Sequence, residues 1–208
     1  MSFFTDPQNK FTIYDVPKGG GTTIRLWIYY AGTGSLEISQ NGYYEVTARE
    51  RNTIQGWGYN LLDGFISVPG ERVCIKRDPV KRFISCFKDK VLREKRWSGT
   101  VDELLDNYDE VVRKTPAYML DLKTSYIGFH FDPQTWHLGE NRDYYDKVFD
   151  LSELSTEVKG YLEGKWGIEL PNIKARNSKA TKNELVLTEE QIAKVKKFYQ
   201  VDYDNGWY

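Results

Sequence analysis

Along the chain, apolar positions recur with a period of two in short runs and near 3.6 in longer ones, and each change of period marks an element. Phe11, Thr12, Ile13, Tyr14 and Val16 are strand-forming residues, and Pro17 ends the run by removing a backbone donor. Ile24, Trp27, Ile28 and Ala31 then repeat at helical spacing, which predicts a helix over 24–30 that Gly32 and Gly34 stop. Residues 43–47 alternate like a second strand, and residues 53–63, rich in Gly, Asn and Trp, read as loop with short extended pieces. A short strand is predicted over 72–76. Asp78-Pro79 follows as a helix start, and Val80, Phe83, Ile84, Phe87 and Val91 form the buried stripe of that helix. Thr100 and Glu103 form a capping box for a helix whose apolar face is Val101, Leu104, Leu105, Tyr108 and Val112. A late strand is expected over 147–150, then a helix over 152–163 ended by Gly164. The last helix, 188–199, is signalled by the Thr188–Gln191 box, the Leu187–Ile192 staple and the stripe Ile192, Val195, Phe198. Strands alternating with helices predict an α/β fold, one domain over 1–208 with a central parallel sheet flanked by helices.

Between the first strand and helix lies Lys18-Gly19-Gly20-Gly21-Thr22-Thr23. Three glycines let the backbone turn sharply, and the helix that follows presents unpaired amides and the positive end of its dipole. That arrangement is either an anion cradle or an ordinary turn, with Lys18 a mobile charge at its rim. A second candidate unit sits at the end of the 72–76 strand. Arg77 there and Ser85 on the next helix can both face a ligand, or Arg77 can cap a helix while Ser85 is merely exposed.

Charge sharpens the picture. With 29 basic and 30 acidic residues the formal net charge is −1, which argues against nucleic acid or a membrane surface as partner. The basic residues are nevertheless concentrated, nine against three acidic in 76–96 and four against none in 173–182. Local basic segments in a neutral chain suit a small anionic ligand, and the polar basic loop 171–184 is a solvated linker or a lid over such an anion. The five acidic residues of 100–110 are spread round their helix, which makes them a solvated face before a metal site. Cys74 and Cys86 are too few for a disulfide scaffold and have no metal-like spacing, so both read as buried thiols in a reducing compartment. No leader pattern or run of about 18 apolar residues occurs, so the expected location is cytoplasmic. The two histidines, His130 and His137, lack a third ligand for zinc. His130 is a proton acceptor, an anion-binding group or an ordinary structural residue, and the last reading suits His137 better. Fifteen Tyr, ten Phe and six Trp serve mainly in packing, though some can line a sugar or aromatic acceptor site.

Pro17-Lys18-Gly19-Gly20-Gly21-Thr22-Thr23 resembles the 5′-phosphosulfate loop of sulfotransferases, and Arg77-Asp78-Pro79 with Arg82 and Ser85 resembles their 3′-phosphate motif. The likeness is greatest to carbohydrate sulfotransferases: His130-Phe131-Asp132-Pro133-Gln134 is similar to their His-x-x-Pro-Gln element, and so is the ending in Tyr199, Asp202 and Tyr203. The resemblance covers residues 11–208. It implies a fold related to P-loop nucleotide kinases and a donor, PAPS (3′-phosphoadenosine 5′-phosphosulfate), whose sulfuryl group passes in line to a glycan or other small hydroxylated acceptor, or to an amine. It also implies that no metal is required. By the same resemblance Lys18 touches the bridging and sulfuryl oxygens. Gly19, Gly20, Gly21, Thr22 and Thr23 hold the 5′-phosphate, Arg77 and Ser85 hold the 3′-phosphate, and the loop 174–182 closes over the nucleotide. Several glycan-directed members carry a histidine base between the two motifs, where this chain reads Gln55-Gly56-Trp57-Gly58-Tyr59. His130, Glu45, Glu50 and Asp63 are the candidate bases in its place. The missing anchor of the Golgi enzymes points to a microbial or viral source. Two rival readings stand beside this one. The first is a P-loop kinase or NTPase, which the position of Lys18 before its glycines opposes, and the second is a non-catalytic module that binds nucleotide or PAP, the desulfated donor.

Overall fold

The computed structural model describes residues 2–6, 10–36, 55–57, 70–95, 97–108, 128–173 and 185–208. The chain divides into two compact units, one of Met1–Lys76 with His137–Ala175 and the other of Arg77–Trp136 with Arg176–Tyr208.

The first unit is built on strand β2 (Phe11–Asp15), all of whose residues are buried. Among the described residues its sheet has five strands in the order β3-β1-β2-β4-β5, with β1 Ser2–Thr5, β3 Gln55–Trp57, β4 Glu71–Lys76 and β5 Lys147–Asp150. β2 pairs parallel with β4, and β4 pairs parallel with β5. β1, however, pairs antiparallel with both β2 and β3. The expected parallel sheet is therefore limited to β2, β4 and β5, on one side of the whole sheet. Only a short connection separates β1 from β2, and a short connection permits only antiparallel pairing. Asp6 holds that connection, its amide donating to Phe11 O at 2.9 Å and its carboxylate accepting from the amide of Lys10 at 3.0 Å.

Helix α1 (Gly21–Thr33) starts three residues earlier than the periodicity indicates and runs through Gly32 to a left-handed Gly34, whose N–H caps Tyr30 O. Ile24, Trp27 and Ile28 are its buried face, packed with Phe11, Ile13, Val73, Ile75, Val158 and Leu162 in one core. After β5 the chain passes through a 3-10 turn (Leu151–Glu153) and a π-helical turn (Leu154–Val158) into helix α5 (Lys159–Trp166), numbered after α2 to α4 of the second unit given below. This helix ends at a left-handed Gly167, not at Gly164. Gly164 is outside the left-handed region, whereas Gly167 takes a φ of +69° and forms the C-cap.

In the second unit, helix α2 (Pro79–Cys86) begins as its sequence predicts: Asp78 accepts from the amide of Lys81 at 2.8 Å and Pro79 fills the first position. It continues as a π-helical stretch, Phe87–Arg93, which carries Phe87 and Val91 into the core. Helix α3 (Val101–Tyr108) has the Thr100–Glu103 box, with Glu103 Oε2 accepting from the Thr100 amide at 2.7 Å. Its acidic surface is not simply solvated. Asp102 accepts from Gln191 and Lys194 of helix α6 (Glu189–Phe198) at 2.9 and 2.8 Å. The Thr188–Gln191 box is formed, and Leu187 with Ile192 joins the core of Phe83, Phe87, Leu104, Tyr108, Phe131, Val195 and Tyr199. The short helices α4 (Gln134–Leu138) and α7 (Gln200–Asp204) complete the elements used below. The expected strand at 43–47, most of 53–63, the end of the stripe at Val112, Asp109 and Glu110, and the loop 174–184 lie outside the described residues. Among the described residues no helix is long and apolar enough to cross a membrane.

Gly70 offers a direct test of how β4 is set beside β2. Its φ is +75°, and a Cβ there would lie 2.2 Å from the backbone carbon of Lys10, the residue whose carbonyl accepts from Glu71. Gly70→Ala should cost about 2 kcal/mol or more in urea unfolding, since both backbone conformation and space are wrong for a side chain. A loss within about 0.5 kcal/mol, the range of a neutral surface change, would contradict this packing.

Candidate functional site

β2 delivers the first group of candidate residues. After Asp15 the chain turns through Val16, which is fully buried, and the Gly19 amide donates to Val16 O at 2.8 Å. Lys18 takes a φ of +69°, a conformation that non-glycine residues rarely adopt. Gly20 follows at φ +91° as the N-cap of α1, and no side chain caps that helix or places an acid in its first turn. The positive end of the helix dipole here therefore meets no acidic side chain of its own first turn, and such an end favours an anion. A Cβ at Gly20 would come within 2.8 Å of Leu151 Cδ1, so the turn is closed from behind by apolar side chains. Thr23 is buried with 5 % of its surface exposed, its amide donating to Gly20 O at 2.9 Å. Gly19, Gly20, Gly21, Thr22 and Thr23 are brought together as expected, and Lys18 stands at the start of the turn.

Asp15 also belongs to this group, and the sequence reading passes over it as one more strand residue. It is 5 % exposed and packs against the glycines: a Cβ on Gly21 would lie 2.0 Å from its Oδ2, and one on Gly19 would lie 3.0 Å from its Oδ1. Burial pushes its carboxyl up to about 6, against the opposing pull of Arg25 and of a hydrogen bond from the Val16 backbone. A signal was available in the sequence. Asp15 is an acidic residue in a run of strand formers, next to a glycine-rich turn that favours anions.

In the second unit a fully buried arginine organises the rest. Arg82 donates to His130 O at 3.1 Å, to Phe131 O at 3.5 Å and to Asp132 O, and its guanidinium lies 5.0 Å from the centre of the Tyr199 ring. Tyr199 Oη donates to Phe131 O at 2.7 Å, and Cys86 Sγ donates to His130 O at 2.9 Å. Asp202 accepts from the amides of Gln134 and Thr135 at 3.0 and 2.8 Å and from the Thr135 hydroxyl at 2.9 Å. Gln134, wholly buried, accepts from the amide of Arg77 at 2.8 Å through Oε1. The stretch 130–134, the ending around Tyr199 and Asp202, and Arg77 are therefore one hydrogen-bonded assembly. Burial lowers the pKa of the Arg77 guanidinium. Ser85 is 9 % exposed, so it is not the surface residue that one reading of the spacing allows. Arg82 supports this unit's interior, a role its place in the motif does not disclose.

His130 is 8 % and His137 3 % exposed, His130 in the second unit and His137 in the first. Cys74 and Cys86 are buried thiols, and burial raises Cys74 to about 12, far from a reactive thiolate. Among the described residues no group of three His, Cys, Asp or Glu could hold a metal ion. Glu45, Glu50, Asp63 and the basic loop 174–182 lie outside those residues.

The family model for the sulfotransferase family matches residues 1–205 of the chain. No curated protein matches it at a significant level, and neither does any solved structure.

Two predictions follow from these geometries. A carboxyl whose folded pKa, about 6, exceeds its unfolded value of 3.8 holds its proton more tightly when folded. Stability should therefore fall as pH rises from about 4 to 6 and stay lower above, by about 2–3 kcal/mol. Asp15→Asn should lack that fall when unfolding is followed across pH 4–8, and identical pH profiles would refute the assignment. Arg82→Met should destabilise the fold by about 3 kcal/mol or more, because Asp132 O loses the guanidinium and the His130 and Phe131 carbonyls keep only the bonds from Cys86 and Tyr199. Unchanged thermal unfolding would show that Arg82 is not needed there.

Proposed function

The chain belongs to the sulfotransferase family, and on that premise we propose that it is a PAPS-dependent enzyme sulfating a hydroxyl, or an amine, of a carbohydrate-like acceptor. The observation that carries the reading is the Lys18–Thr23 turn. There a helix of 13 residues begins without a side-chain cap or acidic residue in its first turn, directly after a lysine held in an unusual backbone conformation. That end suits an anion. PAPS supplies the sulfuryl group. The amides of Gly19 to Gly21 with Thr22 and Thr23 hold the 5′-phosphate, and Lys18 meets the negative charge that develops on the leaving phosphate. Arg77 and Ser85 hold the 3′-phosphate, which separates PAPS from ATP. The Gln134 bond fixes the Arg77 backbone for that task, and Asp202 in turn fixes Gln134.

His130 is the proposed base, taking the acceptor's proton as the sulfuryl group arrives. Arg82 and Cys86 hold its carbonyl, which limits how far its backbone can shift. The carbohydrate class rests on the likeness of 130–134 and of the C-terminal residues to glycan-directed enzymes. Relation to the P-loop kinases, a single functional domain over 1–208, a metal-free reaction and closure of 174–182 over the nucleotide belong to the same proposal.

Calorimetry with PAP, ATP and AMP tests the donor without knowledge of the acceptor: PAP should bind far more tightly than the other two. Arg77→Ala should weaken PAP by about 1.5–3 kcal/mol, the range for hydrogen bonds to charged groups. Lys18→Ala should instead cut transfer about 100-fold or more while changing PAP affinity less. Equal and negligible effects of both substitutions on binding and turnover would sink the assignment.

A further inference from the structure

Asp15 is in an unexpected place for a donor site. It lies beneath a turn that the proposed function gives to a phosphate, yet it is itself an acid. Its side chain is buried, with 5 % of the residue exposed, and Oδ1 has no hydrogen-bond partner. The carboxyl abuts Gly19 and Gly21, the residues on either side of the N-cap of α1. Its surroundings supply little compensating charge. On the strands beside it the register partners are Ser2 of β1 and Ile75 of β4, neither of which titrates, and behind the turn stand Leu151 and Leu154. Arg25 on α1 is the cation that acts on it, and Lys18 is the nearest cation along the turn.

With no ligand, the ionised carboxyl faces the positive end of α1 and partly serves as the anion that this helix end favours. An incoming phosphate replaces it in that role, and two anions on one helix end repel each other through a poorly screened interior. Burial leaves little water beside Asp15 to relieve this, and its unpartnered oxygen has room in its bonding for a proton. We propose that Asp15 is a positioning residue that takes up one proton when the 5′ end of the donor occupies the Lys18–Thr23 turn, which couples donor affinity to pH. This inference rests on the donor-site reading above. The proton comes from solvent and returns to it when the nucleotide leaves, so no bond of the donor is made or broken. Because the free carboxyl titrates near 6, the coupling operates above that pH and vanishes below it. Reciprocity requires that whatever raises the Asp15 pKa on binding also tightens binding as pH falls.

The test compares PAP affinity of wild type and Asp15→Asn from pH 5.5 to 8.5. The phosphates of PAP titrate in both experiments alike and cancel. Wild type should lose affinity relative to the variant by up to about tenfold per pH unit above 6, so that at pH 8 the variant binds about 10-fold tighter or better. Parallel profiles would overturn the proposal while leaving the donor site intact. Failure of wild type to bind PAP at any pH would overturn the donor-site reading, and the proposal with it. Carboxyl carbon NMR on wild type gives the answer even if the variant does not fold. At pH 7 the Asp15 resonance should sit close to the carboxylate position, with about one tenth of the carboxyl protonated, and move to the acid position with saturating PAP, and a carboxylate signal in the complex would overturn the proposal.

Discussion

A guanidinium removed from water must be met by oxygen, and the second unit is arranged around that requirement. Arg82 has no exposed surface, and the backbone carbonyls of His130, Phe131 and Asp132 answer it. Once those three residues are drawn to α2, the next stretch is committed: Gln134 and Thr135 fall where Asp202 can cap them, and Gln134 reaches the Arg77 amide. A cation that touches no ligand thus sets the backbone of one proposed to do so. The cost of leaving any of these buried groups unanswered makes the arrangement stiff.

The first unit presents the same constraint with the opposite sign and a different outcome. Asp15 is as thoroughly buried as its neighbours on β2, but its Oδ1 has no partner, and its carboxyl is driven toward neutrality instead of being paired. Arg82 is held through both terminal nitrogens of its guanidinium, whereas a buried carboxyl left near neutrality responds to conditions. The glycines beside Asp15 are as much a consequence of its carboxyl as of the turn. Side chains at Gly19 or Gly21 would collide with it.

Much of this was legible in sequence because it is local. The Asp78-Pro79 start, both capping boxes, the stripe on α2 and the extent of β5 each depend on residues within one or two turns of each other. The glycine turn between a strand and a helix was equally plain. Harder were the ends of α1 and α5, because a glycine ends a helix only where it takes the left-handed conformation, as Gly34 and Gly167 do and Gly32 and Gly164 do not. The antiparallel strand β1 was missed, and β3, a short extended piece within 53–63, was not recognised as part of the sheet, for another reason. Their pairing joins residues distant in sequence and leaves only a weak alternation to read.

The sequence by itself determined the elements, the α/β class and the two motifs that carry the family resemblance, since each is written in short-range spacing. Tertiary structure alone decided which residues of those motifs hold the interior. Arg77 and Arg82 are both arginines of one motif, yet burial made the second a scaffold for the carbonyls of 130–132. Asp15 shows the point most clearly. Its identity was always visible, but its pKa depends on how much water and charge surround it, and these follow from chain segments that meet only on folding.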